Sequence, residues 1–368
     1  MTFRLLKLPL LAFRNVLSYW NHDQIFDFSL ISKRTKYLTK SLTQKSTSAT
    51  IFFEPKLYVR LDFQLQPYNA HCFALNDGFS HFRFSTENVT EGFLDVLKHL
   101  LNIFNASVES IHIDAKLGEK DMNLIFKYIN NLGQESISKL YYDCDKTKQI
   151  DYLLQSNKKP IEDLELNVRR DHTYIGETIA DSSSIQLYKC LNTICLSDGH
   201  LLTMLNTVGM DIRKSVLTNE YLNMFLKSWT SGRTNSRLKL AFFRVKETIN
   251  LRTILGDIPV VKRDPRTTKR YFETQLWGKT YSNWIFGGYD IQLSDGRTAT
   301  LQWHKFQRKS DSSPVPVRWI QKYEDVHEME DNIDSDAREN RVQEPEKEGE
   351  PVKEHKPYYL QMLSIIVW

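Results

Sequence analysis

The stretch LPLLAFRNVLSYWNHDQIFDFSLISKRT, residues Leu8–Thr35, carries the most informative pattern in the chain. Pro9 suits the first turn of a helix, where a missing N–H costs nothing. Asn21 or Asp23 offers an N-cap for a second amphipathic turn, and Ser32 offers one for a third. Apolar residues of the first segment recur at the three- and four-residue steps of one helical face: Ala12, Phe13, Val16, Leu17 and Trp20. The pattern predicts three short helices, with too few apolar residues for a core of their own, that dock on another surface.

The same stretch resembles the F-box. The elements that carry the resemblance align without a gap: Leu8-Pro9, Val16-Leu17, Ile25-Phe26 and Ile31-Ser32-Lys33-Arg34. Leu11 and Thr35 depart from the pattern, since an acidic residue and an aromatic residue are common at those places. The alternative is an ordinary amphipathic helical hairpin. The resemblance implies an F-box at residues 1–45 that docks on a Skp-family adaptor. The side chains expected to bind the adaptor are Leu8, Pro9, Val16, Leu17, Trp20, Ile25, Phe28 and Ile31.

Size and composition favour a cytoplasmic or nuclear globular protein. The 368 residues suggest two or three domains, and 41% are hydrophobic and 26% charged. No apolar run approaches the ~18 residues that a membrane span needs. Pro9 and Arg14 break the short apolar segment that would otherwise look like a signal sequence. The four cysteines form no Cys-x-x-Cys pair and have no paired histidine nearby: Cys72, Cys144, Cys190 and Cys195. They are expected to be reduced core thiols, and neither a metal nor a cofactor is expected.

Residues 105–250 alternate between strand-like and helix-like segments. Five runs have the alternating apolar residues of a strand with one buried face: Ser107–Asp114, Ile137–Asp143, Ile161–Val168, Leu191–Leu196 and Arg237–Phe243. Asp121–Leu132 and Asn219–Trp229 have helical spacing between them. The first four strands recur every 24 to 30 residues, and the last gap is wider. These units resemble degenerate leucine-rich repeats and predict an α/β (α+β) array with a parallel sheet, preceded by a connecting β-rich segment at 46–104. A compact α/β sandwich is the structural alternative.

Part of this region resembles the type-2 F-box-associated domain of the F-box family that is expanded in nematodes. The resemblance covers about Ile185 to Arg244 and includes Trp229-Thr-Ser-Gly232. It implies recognition of a protein substrate without catalysis. On the strand Ile161–Val168, we expect Leu164, Leu166 and Val168 to be buried and Glu165 and Asn167 to be exposed, with a bulge near Glu162 because Ile161 is out of phase. The expected substrate surface comprises His112, Lys139, Glu165 and Lys239.

The chain after residue 250 has the pattern of a β region, and we take 251–368 as the third folded part. Gly288–Leu293 and Thr298–Trp303 flank Asp295-Gly296, the turn signal of a hairpin. The apolar end of the chain, Tyr358–Trp368, is expected to return as a strand beside that hairpin. Between them, residues 324–350 contain 12 acidic and 3 basic residues. This composition predicts a disordered acidic insert at 324–356.

The sequence contains no convincing catalytic motif. Gly278-Lys279-Thr280 resembles the end of a phosphate-binding loop, but Glu273 stands where that loop needs a glycine. We therefore expect no enzyme, but a substrate-recognition subunit of an SCF-type cullin-RING E3 ubiquitin ligase, which the Skp-family adaptor joins to the cullin. The alternative is a nucleic-acid-binding or structural repeat protein, for which the relevant feature is one basic cluster: Lys262, Arg263, Arg266, Lys269 and Arg270.

Overall fold

The structure is a computed structural model, and it divides into two compact units. Unit 1 comprises Met1–Arg170 and Gly176–Lys189, and unit 2 comprises Asp171–Ile175 and Cys190–Trp368. The described residues are 5–42, 46–54, 56–63, 70–74, 88–114, 116–144, 147–168, 188–194, 206–215, 217–245, 248–303, 307–310, 314–321, 323–324 and 361–368.

Three helices begin unit 1, where the sequence predicts them. A 3-10 turn at Leu5–Lys7 precedes α1 (Leu10–Ser18), α2 (His22–Leu30) and α3 (Lys33–Leu42). Asn21 caps α2, because its side chain accepts a hydrogen bond from the Gln24 amide while the Gln24 side chain accepts one from the Asn21 amide. Buried Phe13, Leu17 and Phe28 form the centre of the three helices. So small a core gives the helices little stability of their own.

The sheet of unit 1 combines parallel and antiparallel strands. Its strands are β1 (Ser46–Phe53), β2 (Leu57–Phe63), β3 (Ala70–Ala74), β4 (Val108–Ile113), β5 (Ile137–Cys144) and β6 (Ile161–Val168). They are ordered β6-β5-β4-β1-β2-β3. The β1, β4, β5 and β6 strands are parallel, and β2 and β3 are antiparallel neighbours. The helices of this part are α4 (Val89–Phe104), α5 (Glu119–Asn130) and α6 (Thr147–Ser156). The 46–104 segment thus contains α4 besides its three strands.

The prediction of a bulge near Glu162 is wrong for the pairing of β5 with β6, because the register between these strands does not shift. These strands pair with a constant register, from Ile137 opposite Ile161 to Cys144 opposite Val168. Both strands bury their first residue and then the residue three positions later, Leu140 in β5 and Leu164 in β6. Because the two strands change phase at the same place, neither is displaced against the other. Leu164 and Leu166 are buried as expected.

Unit 2 continues the alternation of strands and helices and then becomes antiparallel. The parallel strands are β7 (Tyr188–Ile194), whose first two residues belong to unit 1, β8 (Gly209–Ser215) and β9 (Leu240–Val245). Two helices follow β8 and β9 respectively, α7 (Asn219–Thr230) and α8 (Leu251–Leu255). The wide gap in the sequence pattern therefore contains a strand that the pattern missed, β8, in which Asp211, Arg213 and Lys214 interrupt the apolar residues.

The C-terminal strand lies where the sequence predicts it. The later strands are β10 (Val260–Arg263), β11 (Lys269–Leu276), β12 (Lys279–Phe286), β13 (Gly288–Gln292), β14 (Thr298–Gln302), β15 (Gln307–Arg308) and β16 (Gln361–Val367). The predicted hairpin is β13–β14, and β16 pairs with β14 on one side and with β9 on the other. Within unit 2 the order is β10-β13-β14-β16-β9-β8-β7, and β11, β12 and β15 form a separate sheet.

Some expectations fall on residues whose structure is not described. The acidic insert, beyond Glu324, and Cys195 lie outside the described residues. Cys144 and Cys190 are buried free thiols, but Cys72 is exposed on β3 and is not a core thiol. None of the helices that the structure describes is long and apolar enough to cross a membrane.

Candidate functional site

The three N-terminal helices present an unusual amount of exposed apolar surface. Large hydrophobic side chains that are exposed number twelve in the described residues, and seven of them lie between residues 5 and 42: Leu6, Leu10, Leu11, Tyr19, Leu30, Ile31 and Tyr37. Leu11 is 77% exposed and Tyr19 is 88% exposed. A contiguous exposed apolar patch marks an interaction site more often than chance, whereas single exposed residues need no explanation. We call residues Leu10, Leu11, Tyr19, Leu30 and Ile31 the apolar surface.

The adaptor-binding residues expected from the sequence divide between this surface and the interior. Ile31 and Pro9 are exposed, and Leu8, Val16 and Trp20 are half-buried. Leu17, Ile25 and Phe28 are buried, so these three support the helices and do not present a surface. Sequence reasoning missed Leu10, Leu11, Tyr19 and Leu30. The signal that could have found Leu11 is its position off the helical face that Phe13 and Leu17 define, where a helix with no partner carries polar residues.

Helix α2 attaches the N-terminal helices to the rest of unit 1. The His22 ring stacks on Phe63 of β2 at a centroid distance of 4.2 Å. Ser29 Oγ lies 2.7 Å from His99 Nε2 on α4, and His71 Nε2 lies 3.0 Å from Asp23 Oδ1. Burial lowers the pKa of His22, assisted by the nearby His71, and burial with Lys36 lowers the pKa of His99. These aromatic and hydrogen-bonded contacts fix the helices on the sheet and on α4.

A row of stacked rings crosses one face of the sheet of unit 1. Phe52 of β1 stacks on Tyr58 of β2 at 4.1 Å and on His112 of β4 at 4.3 Å, and His112 stacks on Tyr141 of β5 at 4.0 Å. The four residues are direct register partners, and Glu165 of β6 continues the row. All five side chains are half-buried. We call Tyr58, Phe52, His112, Tyr141 and Glu165 the aromatic row.

Ion pairs surround the β6 end of the aromatic row. Lys139 Nζ lies 3.7 Å from Asp163 Oδ2, 3.6 Å from Glu165 Oε2 and 4.5 Å from the centre of the Tyr141 ring. Burial by itself would lower the pKa of Lys139, but Tyr141 and the two carboxylates outweigh burial and raise it. Burial, then Lys139 and Arg60, lowers the pKa of His112 to about 4. At neutral pH the row therefore contains an uncharged histidine beside a charged lysine.

Three of the four substrate-binding residues expected from the sequence lie together in this region. His112 and Glu165 belong to the aromatic row, and Lys139 pairs with Glu165. Lys239 is exposed and belongs to unit 2, where its amide donates to the Val208 carbonyl. The sequence pattern missed Phe52 and Tyr58, because they come from strands outside the predicted repeat.

The basic cluster of unit 2 is engaged with carboxylates. Arg263 Nε and Arg270 Nη2 each lie 2.7 Å from the carboxylate of Asp290, which is 6% exposed. Arg266 pairs with Asp264 and with Glu324, the latter at 2.8 Å. Lys262 and Lys269 lie over aromatic rings. A cation that is paired with a carboxylate would have to give up that partner in order to neutralise a phosphate. This pairing weighs against a nucleic-acid interface here.

The described residues contain no group of three or more His, Cys, Asp or Glu side chains that could hold a metal ion. The Gly278-Lys279-Thr280 sequence follows Trp277 in the turn between β11 and β12, where both Trp277 and Gly278 have positive φ. A phosphate-binding loop would instead lead into a helix N-terminus. This sequence is a hairpin turn.

Trp229 and Gly232 have a structural role at the end of α7. Trp229 is 1% exposed and stacks on Phe225. Gly232 has φ +75°, and a Cβ at this position would lie 2.5 Å from Ser294 Oγ. The Ser294 amide donates to the Thr230 carbonyl at 2.9 Å, which joins this turn to the β13–β14 hairpin. Glycine is therefore required both by its dihedral angle and by the close approach of the hairpin.

Comparison with known proteins identifies one region of the chain. A family model described as F-box associated matches residues 183–241. The match confirms that this region, expected at about Ile185–Arg244, resembles an F-box-associated domain. No curated protein matches the chain, and no solved structure matches it.

Proposed function

We propose that this chain is the substrate-recognition subunit of an SCF-type cullin-RING E3 ubiquitin ligase. The observation that carries the proposal is the F-box associated match at residues 183–241 in a chain that begins with three short helices rich in exposed apolar side chains. F-box associated regions are generally non-catalytic, and we assign binding rather than catalysis to this chain.

The proposal assigns adaptor binding to the N-terminal helices. The apolar surface, with Pro9 and half-buried Leu8, Val16 and Trp20 beside it, would be covered by a Skp-family adaptor that links the chain to a cullin. Burial of each large apolar side chain stabilises a complex by roughly 1.5–3 kcal/mol. An adaptor would therefore cover a surface that is unfavourable in water.

The proposal assigns substrate binding to the exposed sheet face of unit 1. His112, Lys139 and Glu165 form a mixed polar and aromatic surface there, which is typical of protein recognition. Lys239 is proposed as a contact on unit 2. The chain would act in the cytoplasm or nucleus, where such ligases meet their substrates.

Co-purification from cells tests the assignment. Full-length chain carrying an affinity tag is expected to recover the Skp-family adaptor and a cullin, both identified by mass spectrometry. The Leu8→Ala and Pro9→Ala double variant is expected to recover at least about tenfold less adaptor, the loss that corresponds to 1.4 kcal/mol. Equal recovery by variant and wild type, with both folded by circular dichroism, would show that these helices are not an F-box.

A further inference from the structure

The aromatic row lies on the face of the unit 1 sheet that points away from the helices. On the opposite face, Ile51, Ile111, Leu140 and Leu164 are fully buried. Phe53 on that face packs edge-on against Phe93 of α4. All side chains of the aromatic row are half-buried. The sheet therefore has one face in the core and one face accessible to a partner.

The stacking of the rings determines what they offer to a partner. The planes of neighbouring rings lie within 10° to 21° of each other, so the rings cover one another's inner faces, and Lys139 lies over the Tyr141 ring. Ring edges remain on the outside of the row. Aromatic edges favour aliphatic groups and the faces of other rings. The row is suited to apolar side chains and offers little open π-face to a cation.

Charged residues beside the row give this face a negative excess. Glu54, Asp114 and Asp143 lie two residues beyond Phe52, His112 and Tyr141; alternation within β5 places Asp143 on the side of Tyr141, and Glu54 and Asp114 directly follow β1 and β4. Glu54 helps to raise the pKa of Tyr58, after burial, which places its charge near the row. The described residues within the strands of the aromatic row or next to their ends include six carboxylates and three cations: Glu54, Asp62, Asp114, Asp143, Asp163 and Glu165 against Lys56, Arg60 and Lys139.

The negative charge of this face is opposite in sign to the formal net charge of the whole chain, which is +4. An acidic partner would be repelled by the carboxylates of this face, and binding would bury its own carboxylates against them. A basic partner would be attracted, since complementary potentials across an interface favour encounter and specificity.

We propose that this face binds a peptide segment of a partner protein that carries arginine or lysine next to an apolar residue. The apolar residue contacts the ring edges of the aromatic row, and the basic residue lies among the carboxylates of this face, which include Glu54 and Asp143. The inference deepens the proposed function and rests on it only for the identification of that partner as the substrate.

Fluorescence anisotropy with full-length chain tests the inference directly. The probes are two short labelled peptides, one alternating arginine with leucine and the other alternating glutamate with leucine. The arginine peptide is expected to bind and the glutamate peptide is not. Glu54→Gln with Asp143→Asn should weaken binding at least about tenfold, since charge-assisted contacts are worth more than 1.4 kcal/mol. These substitutions keep the shape of each side chain and are expected to leave the sheet folded.

Matched variants separate this site from the rest of the chain. Asp257→Asn removes a carboxylate that is 97% exposed on unit 2, and it should leave binding unchanged. Tyr141→Ser should weaken binding, whereas Tyr271→Ser, at an exposed tyrosine of unit 2, should not. Equal binding by the Glu54→Gln/Asp143→Asn variant and wild type would overturn the inference, as would equal binding of both peptides or of neither.

Adaptor binding measured on the same samples distinguishes the two proposals. If wild type binds the adaptor normally but does not bind the arginine peptide, the peptide inference alone is contradicted. Peptide binding by a wild type that captures no adaptor contradicts the ubiquitin ligase assignment alone.

Discussion

The imidazole of His22 lies face to face with the ring of Phe63, with centroids 4.2 Å apart and ring planes 18° apart. His22 begins α2 and Phe63 ends β2, so this contact joins the N-terminal helices to the sheet. Ser29 and His99 join the same helix to α4. Three helices with a small core of their own thereby gain the stability of a larger unit.

Acid should weaken unit 1 through its buried histidines. The pKa values of His22 and His99 are lowered, and that of His112 is lowered to about 4. Well above pH 6.5 these rings are neutral in both the folded and the unfolded chain, so their lowered pKa values do not change the free energy of unfolding there. As the pH falls from about 6.5 towards 4, the unfolded chain binds protons that the folded chain excludes, and stability is lost. Below the folded pKa values the loss stops growing.

Thermal unfolding of full-length chain between about pH 7.5 and pH 5 measures this effect. The unfolding midpoint of wild type should fall with pH. His22→Phe preserves a ring against Phe63 and removes one titrating group, so its midpoint should fall less over the same range. Identical pH dependence of the two proteins would show that His22 does not contribute.

Gly232→Ala should destabilise unit 2 more than Gly278→Ala does. Both glycines have positive φ, which costs an alanine about 1–2 kcal/mol. Only at Gly232 would the new Cβ also meet Ser294, because nothing lies within 4 Å of a Cβ at Gly278. Urea unfolding of the two variants measures the difference, which isolates the contact with the β13–β14 hairpin. Equal losses would mean that this contact is relieved at no cost.

Asp290→Asn should destabilise unit 2 by about 2–3 kcal/mol. Removing one partner of a fully buried pair costs about 3–5 kcal/mol, and Arg263 is 44% exposed, which reduces the loss. Asp257→Asn is the control, because its pair with Lys227 is exposed and should contribute less than about 1 kcal/mol. The free energy of unfolding, measured in urea at pH 7, compares the two. A loss at Asp290 no larger than at Asp257 would contradict the importance of this network.

Local patterns predicted the elements whose partners are close in sequence. The Asp295-Gly296 turn signal located the β13–β14 hairpin, and the apolar spacing around Ile125 located α5. The return of β16 was also predictable, because an apolar chain end needs a sheet to cover it.

Contacts between distant residues could not be predicted from one sequence. Phe52 stacks on His112 only because β1 inserts beside β4, across 60 residues of chain. No periodicity within β1 indicates that pairing, so Phe52 and Tyr58 could not be joined to the expected substrate residues. Leu11 was missed for another reason: helical spacing identifies the face that packs inward, and Leu11 lies off that face.

Isothermal titration of full-length chain with a purified Skp-family adaptor tests the central claim most directly. Leu10→Ser with Leu11→Ser should abolish or strongly weaken binding while leaving the fold intact, because these side chains are 59% and 77% exposed. Met224→Ser, at a 54% exposed side chain on α7, should bind the adaptor as wild type does. The account predicts adaptor binding by wild type and by Met224→Ser, and its loss in the double variant. Absence of adaptor binding by wild type, or undiminished binding by the double variant, would contradict it.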